Sequence, residues 1–282
     1  MGVADSFACR FTSVRQSFGP LCWGLDPSGD VLDRWDVGDT PDGLDRFVDI
    51  VVEAAVGTVG LVKPQAAFFE RHGWRGTRSL SRLIKEVRAA GVLAILDAKR
   101  GDVGSTNEAY AEAYLGPGAP IEVDALTVHP YLGIGAMDAF VTRAAESSSC
   151  LLVVTRSSNP EGRSVQAAVG AGRSSVEQSL LDEIGHLNAL LAPGELGPIG
   201  AVIGPTRLEP KLDLVAPNAL FLAPGVGYQG ATPDDVATVF AACPDRVMPS
   251  ASRSLLENGP NVARLRADVA RLADHFRGLL MH

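Results

Sequence analysis

The chain has 282 residues, enough for one large domain or two modest ones, with 46% apolar and 21% charged residues and a formal net charge of −8. This is the balance of an ordinary globular protein, and the negative charge argues against a general nucleic-acid binder. The longest apolar runs are strand-sized, far short of the roughly 20 residues of a membrane span, and the first ten residues contain Asp5 and no apolar core, unlike a secretory signal. Cys9, Cys22, Cys150 and Cys243 lie in or beside apolar segments without any Cys-x-x-Cys spacing. That pattern predicts free thiols in a reducing cytoplasm, with no disulfide framework and no zinc site.

In chain order, Phe7, Phe11 and Val14 fall at helical spacing within residues 5–18, before an apolar strand over 21–26 that Pro27 stops. Residues 28–41, rich in Gly, Asp and Pro, read as a loop. Thr40 and Pro41 then supply an N-cap and first turn for a helix whose stripe is Leu44, Phe47, Val48, Val51 and Val52. The alternation continues with a strand over 59–64, a helix marked by Leu80, Leu83, Ile84 and Val87, and a strand from Leu93. After it come a helix over 107–115, a strand over 125–130 and a helix over 134–145. A fifth strand over 150–156 precedes a helix carrying Leu180, Leu181, Ile184, Leu187, Leu190 and Leu191. The sixth, 198–204, precedes a predicted short helix over 206–216; the seventh, 219–224, precedes a helix over 233–242. The eighth, 246–251, contains Pro249, which removes a ladder donor, and a last helix repeats Val262, Leu265, Val269, Leu272, Phe276 and Leu279.

Eight strand–helix units in unbroken alternation, each strand apolar throughout, predict a parallel sheet covered by helices and closed as a single (β/α)8 barrel with a short N-terminal helix. No linker or composition shift divides the chain, so residues 1–282 read as one domain. The widest loop, 157–173, leaves the carboxyl end of strand five and is placed to fold over a ligand or to be a tolerated insertion.

In such a barrel the site lies at the carboxyl ends of the strands. Strand three runs Leu93-Ala-Ile-Leu-Asp97-Ala-Lys99-Arg-Gly101-Asp102-Val-Gly104-Ser-Thr106. Alternation puts Asp97 and Lys99 on one side, and the glycines allow Asp102 to turn back, so that one ammonium would stand between two carboxylates. Three charges ending an apolar strand are costly to bury for stability alone. Asp26 ends strand one, Lys63 strand two, Thr127 and His129 strand four, and Thr155, Arg156, Ser157 and Ser158 strand five; for His129 a plain structural role is the safer reading. The glycine-rich Pro224-Gly-Val-Gly227-Tyr-Gln229-Gly230 and the Ser252-Arg253-Ser254 run follow strands seven and eight, where barrels bind phosphate with backbone N–H groups and a forked cation.

The Asp97-Ala-Lys99-Arg-Gly-Asp102-Val-Gly104-Ser-Thr106 segment resembles the signature of the orotidine 5′-phosphate decarboxylase family, and the resemblance runs from Asp26 through Lys63 and Pro224-Gly-Val-Gly to Arg253. The strand over 201–206 and the long loops are similar to its larger bacterial branch. The resemblance implies decarboxylation of orotidine 5′-phosphate to uridine 5′-phosphate in pyrimidine biosynthesis, without metal or organic cofactor. It implies Lys99 as the acid protonating C6, Asp97 facing the departing carboxylate, and Lys63 and Asp102 helping to hold Lys99. Asp102 and Thr106 would serve the neighbouring subunit's site, making a homodimer. Asp26 and Lys63 match ribose contacts and Gln229 and Arg253 the phosphate grip beside Pro224, while the pyrimidine edge would fall to Thr127 or Ser158. Tyr228 and Ala231 stand where many relatives would carry smaller residues or glycine.

The chemistry agrees: loss of carbon dioxide from C6 leaves a carbanion that ring resonance cannot absorb, so a fixed nearby cation must stabilise it. Flanking carboxylates favour the charged form of Lys99. A metal-dependent sugar-phosphate decarboxylase or aldol-type synthase would want an acid where strand two ends in Lys63. A non-catalytic phosphate-binding barrel would keep Gln229 and Arg253 but need no Lys63, Asp97, Lys99 and Asp102.

Overall fold

In the computed structural model, residues 6–170, 174–206 and 211–281 are described. Eight parallel strands close into a barrel in sequence order: β1 (Cys22–Leu25), β2 (Leu61–Pro64), β3 (Leu93–Arg100), β4 (Ala125–Val128), β5 (Cys150–Arg156), β6 (Ile199–Ile203), β7 (Phe221–Pro224) and β8 (Val247–Ala251). Pro249 does not break β8. It stands opposite Ala223 of β7, and pairing with β1 starts one residue later, at Ser250.

Strand alternation divides the apolar side chains between two cores. Outward residues such as Trp23, Val62, Ala94, Leu96, Leu126 and Leu151 pack under the helices. Inward residues, among them Cys22, Leu61, Leu93, Ile95, Ala125, Leu152, Leu222 and Met248, fill the barrel. The amino-terminal end of that interior is plugged by helix α1 (Phe7–Phe18), whose Phe7 and Phe11 join the inner cluster. Arg10 of the same helix pairs with buried Asp124 and donates to the Ser148 carbonyl at 3.0 Å.

Thr40 caps the helix Pro41–Ala55 as expected, accepting the Gly43 N–H at 3.1 Å. Two predicted segments are different. Residues 28–41 are not all loop: Gly29–Arg34 is helical, capped by Ser28 and held down by buried Val31, Leu32 and Trp35, whose indole donates to the Leu256 carbonyl at 2.8 Å. Of the helix expected over 206–216, residues 207–210 lie outside the described residues, and 211–216 are not helical. There the Asp213 carboxylate accepts the N–H groups of Val215 and Ala216, and Asn188 donates to the Pro217 carbonyl, so side chains take up backbone groups that a helix would pair. The wide loop after β5 contains a 3₁₀ turn (Pro160–Gly162) and one helical turn (Arg163–Gln166). All four cysteines are free thiols, Cys22, Cys150 and Cys243 buried and Cys9 half-buried. Burial pushes the Cys22 thiol up to about 12.

Candidate active site

The inward register of the first four strands is apolar at the bottom and polar at the top. Cys22 and Gly24 lead to Asp26, Leu61 to Lys63, Leu93 and Ile95 to Asp97, and Ala125 to Thr127. These polar ends open into a cavity of about 380 Å³ at the carboxyl face. Gly24 has a steric reason: a Cβ there would stand 2.6 Å from the Cβ of Ser252.

Asp97 is the centre of the polar cluster. Its Oδ2 accepts from Lys63 Nζ at 3.1 Å, and its Oδ1 from Lys99 Nζ at 2.6 Å and the Thr127 hydroxyl at 2.9 Å. Burial opposes ionisation of Asp97, but Lys63 and Lys99 outweigh it and hold the carboxyl well below the usual carboxylate range. Burial likewise opposes the charge of Lys63, yet the carboxylates of Asp97 and Asp26 outweigh it and hold the ammonium well above its ordinary value. The expected arrangement is thus inverted: one carboxylate sits between two ammoniums. Lys63 is buried, whereas the Lys99 side chain is 47% exposed. Asp26 lines the same cavity, and its Oδ1 is buried without a hydrogen-bond partner among the described residues, an acceptor available to a ligand hydroxyl.

Across the mouth, Pro224, Gln229 and Arg253 line the cavity as predicted. The turn between β7 and Gln229 needs glycine at 225, where φ is +96° and a Cβ would approach the Gln229 Oε1 to 2.6 Å. Gln229 accepts from the Ser158 hydroxyl at 2.8 Å, which ties the loop after β5 to the phosphate-type loop. The Arg253 guanidinium lies over the Tyr228 ring at 3.9 Å from its centroid.

Other sequence candidates lie elsewhere. Asp102 does not turn back to Lys99 of its own chain: its carboxylate accepts the Val103 N–H at 2.8 Å, and its backbone is pinned by Asn107. Thr106 is exposed, and neither residue lines the cavity. Arg156 does not face the site. It is 2% exposed and forms a forked pair with buried Glu177, both bonds 2.8 Å. Alternation from inward Leu152 and Val154 would point it into the barrel, but the pairing of β5 with β6 shifts register between Val154 and Arg156 and turns it towards the helix layer. Thr155 donates to the Val153 carbonyl, and His129 also lies outside the lining. Sequence reasoning missed Gln65, Phe68 and Asn159 in the cavity wall. For Gln65 a signal was present, since it directly follows the end of β2 where side chains enter the barrel mouth.

This geometry has relatives. Residues 19–267 match the sequence profile of the orotidine 5′-phosphate decarboxylase / HUMPS family. Orotidine 5′-phosphate decarboxylase of Salinispora arenicola is 47% identical over 276 residues, covering 98% of this chain and 99% of the relative. The enzyme of the same name from Streptomyces coelicolor is 44% identical over 273 residues, covering 97% and 98%. A crystal structure from Streptomyces avermitilis assigned to the same decarboxylase superposes with a TM-score of 0.93 at 43% identity, covering 98% of this chain and 96% of that one. With the profile and full-length relatives agreeing, the chain belongs to the orotidine 5′-phosphate decarboxylase / HUMPS family.

Proposed function

We propose that this protein decarboxylates orotidine 5′-phosphate to uridine 5′-phosphate, with Lys99 delivering the proton to C6 as carbon dioxide leaves. The observation that carries the reading is the Lys63–Asp97–Lys99 chain of charge at the carboxyl end of the barrel, facing Arg253 across the cavity. Asp97 keeps Lys99 near the reacting carbon, and its negative charge faces the carboxylate that departs. An ammonium held in place beside a developing carbanion stabilises it without solvent reorganisation. Arg253, Gln229 and the turn at Gly225 suit the phosphate, and Asp26 with Lys63 the ribose hydroxyls. Binding energy from the phosphate, remote from C6, then helps to organise the reacting end.

The nearest rival reading is a sugar-phosphate decarboxylase or aldol-type synthase of the same barrel group, which would work through a metal-stabilised enediolate. The ammonium of Lys63, where such a site would place an acid, repels a cation and favours the decarboxylase reading. The chain would work as a homodimer in which Asp102 and Thr106 complete the neighbour's site. In support, Asp102 makes no bond to Lys99 of its own chain, and Val103, Tyr131 and Leu132 are exposed apolar side chains beside this corner of the barrel. A single catalytic barrel domain over residues 1–282 fits the same scheme. The test is a spectrophotometric assay with orotidine 5′-phosphate in the presence of chelator. Wild type turns over unimpaired, and Lys99→Ala, still folded by circular dichroism, does not; near-wild-type turnover by that variant would sink the assignment.

A further inference from the structure

The pairing of β3 with β4 is uneven. Leu96 stands opposite Leu126 and Arg100 opposite Val128, so Asp97, Ala98 and Lys99 together face the single residue Thr127. Such a bulge frees the chain to aim side chains, at the cost of ordinary ladder bonds. Lys99 sits in it with φ of +47°, in the left-handed region that non-glycine residues rarely occupy. A strained backbone of this kind persists only where its surroundings hold it.

Thr127 is what holds it. The residue is 1% exposed, and its Oγ1 accepts the Lys99 backbone N–H at 3.0 Å while its proton goes to Asp97 Oδ1 at 2.9 Å. The other acceptor in reach, the Leu96 carbonyl, is at 3.5 Å. A single hydroxyl therefore ties the main chain of one charged residue to the carboxylate of the other. Asp97 in turn holds the Lys99 ammonium, closing a ring of contacts: Thr127 to Lys99 N–H, Lys99 Nζ to Asp97, Asp97 to Thr127.

We propose that Thr127 is a positioning residue that locks Asp97 and Lys99 into one unit and so sets the reach of the Lys99 ammonium. The inference rests on the reading of Lys99 as proton donor. Thr127→Val keeps size and β-branching but leaves the Lys99 N–H and one Asp97 lone pair without a buried partner. Thr127→Ser keeps the hydroxyl.

Steady-state kinetics on the intact protein test it, with uridine 5′-phosphate binding followed by titration calorimetry as a check on the folded site. A hydrogen bond to a charged group supplies enough free energy for Thr127→Val to lower kcat by about 10- to 100-fold. KM and product affinity should stay within about threefold of wild type, and Thr127→Ser should recover most of kcat. An unchanged kcat in Thr127→Val overturns the proposal. So does a rise in KM alone, which would make Thr127 a pyrimidine contact, or a failure of serine to rescue, which would make the methyl group the important part. If Thr127→Val loses product binding along with kcat, the role is general folding and the proposal also fails. The Lys99→Ala control separates the two readings: activity there removes the donor assignment, whereas an inactive Lys99→Ala beside a fully active Thr127→Val removes only the positioning role.

Discussion

Replacing Lys63 by methionine removes a buried ammonium and leaves Asp97 Oδ2 without its cation, while Oδ1 keeps Lys99 and Thr127. Replacing Asp97 by asparagine does the reverse, leaving Lys63 buried without its hydrogen-bonded carboxylate and with the more distant Asp26 opposite in charge. At 3.1 Å and an effective dielectric of about 20, a unit-charge pair attracts by about 5 kcal/mol. Desolvation offsets part of that, and removing one partner of such a buried pair costs about 3–5 kcal/mol. Each single variant should therefore lose several kcal/mol, and the double variant should lose less than the sum by about 3 kcal/mol, the coupling of the pair. Urea unfolding of the four proteins, with the m-value held constant across the set, measures this. Turnover is no use here because all three variants are expected to be inactive. A coupling below about 0.5 kcal/mol, the scatter expected of independent sites, would mean that the Lys63–Asp97 contact is not formed in solution.

Other outcomes follow from the same geometry. The Asp97 carboxyl is held below its ordinary 3.8, so its contribution to stability is present above that pH and lost as pH falls towards the folded value. Lys63 is held above its ordinary 10.5, so its contribution is present below that pH and lost only as pH rises further. The stability difference between wild type and Lys63→Met should thus be flat between these limits, and a slope near neutrality in urea titrations at several pH values would contradict the assignment. Tyr228→Ala should raise KM about 2- to 5-fold with kcat intact, since an exposed cation–π contact is worth about 0.5–1 kcal/mol. Tyr228→Phe should match wild type, and an unchanged KM in the alanine variant would leave the stacking without effect. Mixing inactive Lys99→Ala and Asp102→Ala subunits should restore about a quarter of wild-type activity, because half the dimers are then mixed and one of their two sites is intact. No recovery after verified subunit exchange would refute sharing across the interface.

Much of the barrel was legible because strand periodicity and burial agree. The apolar runs ending in Asp26, Lys63 and Asp97 place each of those residues at the carboxyl end of a strand, the face where a barrel of this kind has its site. What lies across strands was not legible. Thr127 is visible as a polar strand end, but its bond to the Lys99 N–H depends on a bulge that no local pattern announces. Arg156 has the same strand-end position as its neighbours, and only its partnership with Glu177, on the following helix, shows that it faces away from the site. Asp102 follows Gly101, whose freedom leaves the direction of the next side chain open, so the turn back to Lys99 was one outcome among several. The helix Gly29–Arg34 was hidden by turn-forming residues, since its stability comes from the Ser28 cap and the burial of Leu32 and Trp35.

The plug at the bottom of the barrel has a consequence for how the chain comes to be folded. Helix α1 leaves the ribosome before any strand of the barrel, yet the interior that Phe7 and Phe11 enter includes Leu222 and Met248, which are made more than two hundred residues later. At ordinary synthesis rates the two phenylalanines wait roughly ten to fifty seconds for those partners. During that interval the amino-terminal helix carries an uncovered apolar face, a ready surface for a chaperone or for a second nascent chain. The ion pair of Arg10 with Asp124, in the middle of the chain, offers an earlier anchor that can dock the helix before the last strand closes the barrel.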